Sequence, residues 1–236
     1  MRRLTAVVAT GTVLAVAGCA SVPPERRDAG VAMFQWTWSA IAEECHLLSF
    51  IANHDTERNG QTLSYRDGGG FAAATAVMLA TDYGPPTLYS GYAFSDRDAG
   101  PVLESDGSVA DASCTEDEHP DVVAEAGWAD GAWVCQHRWP GTLELVAWRT
   151  RVVDAPVTET GSIESVHTSL RGESAAFAMQ LDDEAASVEA PVGLPDGTYC
   201  DVVVPDCASV VEVSGGVAAL ELGPWQAVAL DRFTRP

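Results

Sequence analysis

The segment Ser49 to Gly60 reads SFIANHDTERNG and places Asn53, His54, Asp55, Glu57 and Asn59 behind a short apolar run. It holds the only two asparagines of the chain and one of its five histidines. Three chemistries can be tested on these residue types. Asp55, Glu57, Asn59 and Gly60 mimic the first, third, fifth and sixth positions of a calcium loop, but the twelfth, which must be a bidentate carboxylate, is Arg66. A cation there repels calcium. Cys114, His119, Cys135 and His137 have the atom types of a zinc site, yet their C-x4-H and C-x-H spacings are poor for zinc, and a Cys114–Cys135 disulfide is the better reading. Neither GxSxG nor HExxH occurs. What remains is His54-Asp55 at the end of an apolar strand. That is where α/β barrels carry their active sites, and it is equally a place for a strand-end cap with no chemistry. From the residues alone both readings stand.

Composition narrows the partners. The 236-residue chain suits one large domain or two small ones. Its formal net charge is −21 and all 13 basic residues are arginine. Such a chain repels nucleic acid and anionic lipid, and without lysine it has neither a P-loop nor a Schiff-base mechanism. MRR followed by LTAVVATGTVLAVA has the layout of an export signal over residues 1–18. VAGC, ending at Cys19, resembles a lipoprotein processing site, with plain secretion as the alternative; a lipid on Cys19 would be the one link to a membrane. Export implies an oxidising compartment, so Cys114, Cys135, Cys200 and Cys207 are expected in disulfides, with Cys45 left over.

The elements that must position the motif follow from periodicity. VAMFQWTW (31–38) reads as a buried strand, SAIAEECHLL as a helix, and LLSFIA (47–52) as the strand leading into the motif. GFAAATAVMLAT (70–81) predicts a buried helix stopped before Gly84-Pro85-Pro86, TLYSGY (87–92) a strand, and RWPGTLELVAWRTRV (138–152) a helix. Beyond about Pro156 short runs alternate with turn signals: AAFAMQL, ASVEAPV, GTYCDVVV, ASVVEVS, VAALEL and QAVAL. The fold class is therefore α/β followed by an all-β module.

FIANHDTERNG with YGPPTLYSGY resembles the seventh- and eighth-strand region of secreted α-amylases, glycoside hydrolases built on a (β/α)8 barrel. MFQWTWSAIAEEC (33–45) is similar to that family's first strand and helix, and WVCQHRW (133–139) and GLPDGTYCDV (193–202) are further matches. The resemblance implies an incomplete barrel over 31–152 and a Greek-key-like antiparallel β-sandwich over 156–236. It implies that Asp55 stabilises an oxocarbenium-like transition state, that His54 hydrogen-bonds the sugar, and that Asn53 lies at a chloride position. Thr87 stands where the partner arginine would be, which argues against chloride. Cys114–Cys135 and Cys200–Cys207 match two family disulfides.

The departure is equally specific. One residue, His46, separates Cys45 from Leu47, where the family has strands two to six, its calcium site, its nucleophile and its acid–base glutamate. No cofactor or metal is therefore expected. Cys45 matches a cysteine whose partner lies in that missing segment. The reading is an internally deleted α-amylase, its partner an α-glucan such as starch, exported or lipid-anchored, with hydrolysis not expected from this chain alone. The alternatives are a non-catalytic glucan-binding module, for which Trp128, Trp133, Trp139, Trp148 and Trp225 offer stacking surfaces, and a gene remnant.

Overall fold

The computed structural model describes the backbone of residues 14–16 and residues 48–60, 62–114 and 129–236. The strand and helix expected over 31–48, together with Cys19, Cys45 and His119, therefore lie outside the described residues, Leu48 excepted. β1 (Leu14–Val16) pairs antiparallel with β2 (Leu48–Phe50), which leads into the motif. A single helical turn, α1 (Thr56–Asn59), follows. α2 (Gly69–Ala80) and α3 (Thr142–Arg151) match the two helices expected there.

TLYSGY is not a strand; it is an extended segment with one bridge at each end. Ser49 donates its N–H to Pro85 O at 3.0 Å and accepts from Thr87 N–H at 2.7 Å, a parallel bridge between neighbouring chains. The ladder stops at this bridge: on the side before it Pro85 has no N–H to give, and among the described residues no further bridge forms along residues 87–91. At the other end Tyr92 bridges Trp133 antiparallel, with Val134 N–H on Gly91 O and Ala93 N–H on Ala132 O.

α2 is apolar on all sides because two cores cover it. Phe71 and Met78 join Ile51, Ala52, Tyr65, Phe94 and Trp139 in one cluster. Ala73, Ala76, Leu79 and Ala80 join Leu145 and Trp148 of α3 against Ala175, Phe177, Met179, Ala227 and Ala229 of the β module in the other. Two arginines lock this junction by taking up the carbonyls that a helix C-terminus leaves unpaired. Arg149 of α3 donates to Leu79 O and Thr81 O, at 2.7 and 2.5 Å. Arg171 donates to Ala80 O and holds Asp82 through both guanidinium nitrogens, at 2.7 and 3.4 Å.

The β module has eight strands: β3 (Glu159–Ile163), β4 (Val166–Leu170), β5 (Ala175–Gln180), β6 (Ala186–Pro191), β7 (Gly197–Cys200), β8 (Val210–Val213), β9 (Val217–Leu222) and β10 (Ala227–Asp231). They form an antiparallel sheet in the order β10-β5-β4-β3 and the antiparallel pairs β6-β9 and β7-β8. Val166, Ala176, Ala178, Val188, Tyr199, Val213, Leu220 and Leu230 share one core between them. β9 alternates exposed and buried residues because water covers one face. β5 is buried at every position because this core lies on one face and the helices on the other.

Candidate functional site

The local sequence dictates the geometry of the motif. Asn53 follows β2 by three residues, and its Oδ1 accepts from the N–H groups of Asp55 and Thr56, both at 2.9 Å. Thr56 Oγ1 accepts in return from Asn53 N–H at 2.9 Å. This reciprocal cap satisfies amides that a helix start leaves orphaned. With Asn53 turned inward to the backbone, His54 and Asp55 face outward. Their side chains are each 78% exposed, with Nε2 and Oδ2 3.7 Å apart.

The inward side of α1 carries a different group. Glu57 is buried, only 4% exposed, and its Oε1 accepts from Gln136 Nε2 at 2.9 Å. Gln136 in turn accepts from Gly91 N–H through Oε1 at 3.2 Å. Burial raises the Glu57 pKa from 4.5 to about 7, against the opposing pull of Arg66, Arg58 and the Gln136 hydrogen bond. The Tyr89 phenol is pushed up by burial and by the charge of Glu57. Arg58 and Arg66 sit over the Phe94 ring at 4.4 and 4.3 Å from its centroid. Arg58 also donates to Tyr92 Oη at 2.8 Å and to Arg97 O, and Arg66 donates to Phe94 O.

The turn that supplies Gln136 is fixed covalently. Cys135 adopts a left-handed backbone (φ 53°) and is bonded to Cys114, with Cα atoms 5.8 Å apart. The zinc arrangement is thereby excluded, since both thiols are consumed. Ser90 Oγ shares a 2.6 Å hydrogen bond with His137 Nδ1 and accepts from His137 N–H at 3.1 Å, tying the same turn to the segment after Pro86. The second disulfide, Cys200–Cys207, has a Cα separation of 4.9 Å and closes the turn after β7. Among the described residues no group of three or more His, Cys, Asp or Glu side chains could hold a metal ion.

The structure thus brings His54 and Asp55 together at the end of β2 and exposes them. Sequence reasoning missed the ring of groups behind them: Glu57 as a buried acid, Tyr89, Gly91 and Gln136. The available signal was the QH pair inside WVCQHRW, but nothing local links it to a glutamate 79 residues earlier.

The chain is 34% identical over 184 residues to an alpha-amylase of Hypothenemus hampei, covering 74% of this chain and 36% of that protein. It is 36% identical over 154 residues to an alpha-amylase of Streptomyces violaceus, covering 65% of this chain and 24% of that one. No protein-family model matches. The solved wild-type alpha-amylase I of Eisenia fetida superposes with a TM-score of 0.65 at 26% identity, over 78% of this chain and 40% of that one. A point mutant of the same enzyme in complex with maltohexaose gives 0.64. The chain is a relative of the α-amylases, the glycoside hydrolase class with a barrel and a C-terminal β domain. It spans between a quarter and two fifths of the length of the relatives it matches.

Proposed function

We propose that this chain is a glucan-directed α-amylase remnant that keeps one part of a sugar-cleaving centre and does not hydrolyse starch by itself. In this reading residues 31–152 are the first, seventh and eighth strand regions of a (β/α)8 barrel, and residues 156–236 are the C-terminal sandwich. Residues 1–18 direct export, with Cys19 as a lipid attachment point, and the two disulfides fit the oxidising compartment that export implies.

The observation that carries the reading is the division of labour in the turn Asn53–Glu57. Asn53 is spent on the cap, His54 and Asp55 face solvent at the carboxyl end of β2, and Glu57 is turned into the core. Asp55 can offer a carboxylate to an electron-poor sugar ring and His54 a hydrogen bond to a sugar hydroxyl. Retaining hydrolysis needs two carboxyl groups about 5 Å apart across the glycosidic bond. Glu57 cannot be the second, because it is held by Gln136 on the inner side of the turn. No other segment of the sequence resembles the flanks of a nucleophile or acid–base block.

An NMR titration with maltohexaose tests the reading. Millimolar oligosaccharide is expected to shift the His54 ring resonances in the wild type and not in Asp55→Ala. Unmoved His54 resonances at saturation of the sugar's solubility would remove the glucan assignment.

A further inference from the structure

Three buried carboxylates stand out among the described residues. Asp201 accepts from the Val203 and Ala229 N–H groups, and Asp231 pairs with Arg151 at 3.0 Å; both lie within or against the β module. Glu57 differs, because it links three separate pieces of chain. It belongs to α1, its Oε1 bonds Gln136 of the disulfide-anchored turn, and its Oε2 reaches the segment after Pro86. A Cβ built on Gly91 would stand 2.9 Å from Glu57 Oε2 and 2.8 Å from Tyr89 Oη. The absence of a side chain at Gly91 is what makes room for both oxygens. Gly91 has no left-handed backbone, so this space, rather than its torsion angles, is what requires glycine.

We propose that Glu57 is a positioning residue: through Gln136, and in the space left by Gly91, it seats the turn that carries His54 and Asp55 onto the rest of the site. This rests on the reading that His54 and Asp55 are the sugar-facing groups. The geometry supplies the route. Asp55 O accepts from the N–H groups of Arg58 and Asn59 at 3.2 and 3.1 Å, so the backbone under Asp55 moves with α1. α1 is fixed from inside by Glu57 and from the side by Arg58, which grips Tyr92 and the Phe94 ring. Arg58 keeps Tyr92 and the Phe94 ring as partners without Glu57, and Glu57 belongs to neither neighbouring core. The effect is therefore confined to the turn.

The test uses the full chain with Glu57→Leu, Glu57→Gln and Gly91→Ala. Amide exchange and histidine ring resonances are read together. In Glu57→Leu the amides of 56–60 are expected to exchange about tenfold faster while those of Ala175–Gln180 hold their rates. His54 resonances should shift, and those of His167, in β4, should not. Glu57→Gln keeps an acceptor for Gln136 and should restore the wild-type pattern; leucine fills similar space without an acceptor, so the contrast between the two reads the hydrogen bond. Gly91→Ala should reproduce Glu57→Leu by pushing the two oxygens aside, and it decides the matter if the leucine variant fails to fold. Unchanged exchange over 56–60 in the folded variants, or Glu57→Gln behaving like Glu57→Leu, would overturn the proposal. Failure of the sugar reading looks different: maltohexaose then leaves wild-type His54 unmoved while the variants still free the turn.

Discussion

Substituting Glu57 by glutamine should stabilise the protein in alkaline solution and not in acid. The folded chain holds the Glu57 proton up to about pH 7, whereas the unfolded chain releases it near 4.5. Between those values the native state binds more protons, so its stability falls as pH rises through the window and is level above it. The pKa difference corresponds to about 3 kcal/mol at roughly 1.4 kcal/mol per pKa unit, an upper bound because the interior relaxes around the charge. Glutamine does not ionise, matches the volume, and still offers Oε1 to Gln136 Nε2. His167, whose pKa burial lowers, and Asp201, whose pKa burial raises, titrate alike in both proteins and cancel in the difference. Urea unfolding of the pair, followed by tryptophan fluorescence from about pH 5 to about pH 8, reads that difference directly. The variant should gain on the wild type by about 2–3 kcal/mol across the range. Parallel stability curves would refute the argument that burial, not the two arginines, dominates at Glu57.

Trp148 is fully buried and donates its indole N–H to Leu230 O at 3.1 Å, so Trp148→Ala should cost about 3–5 kcal/mol, read as a lower urea midpoint. Arg171→Met removes the guanidinium from Asp82, which keeps the Val157 N–H, and uncaps Ala80; with Asp82 partly exposed it should cost about 2 kcal/mol by the same assay. Replacing Cys200 and Cys207 together by serine opens a loop of 7-residue separation, and loop entropy sets the loss at about 2.5 kcal/mol. Non-reducing peptide mapping should return Cys114 with Cys135 and Cys200 with Cys207; any exchange among these four would contradict the arrangement.

Legibility followed locality. α2 and α3 could be read because apolar runs between Gly, Pro and cap residues specify helices without outside help. Six strands of the β module could be read because turn signals separate their apolar runs. The hairpin β3–β4 could not. Glu159–Ile163 is an edge strand with four exposed residues, and its pairing with Val166–Leu170 is set by the neighbour β5 rather than by its own pattern. TLYSGY has strand composition, but it is bridged only at its two ends, to β2 and to Trp133, and that partnering is set by tertiary packing rather than by its own pattern. His54 and Asp55 could be named because their motif is contiguous. The Glu57–Gln136–Gly91 cluster could not, since its members come from three segments that only tertiary packing assembles.

In the proposed reading Asp55 stands without the partners that would let it cleave a glucan. Release of reducing ends from soluble starch by the purified full-length chain tests it most directly. Release is expected no faster than in the protein-free blank, with identical traces for wild type and Asp55→Asn. Sustained release by the wild type that Asp55→Asn abolishes would contradict it, because a second carboxyl group would then have to face Asp55.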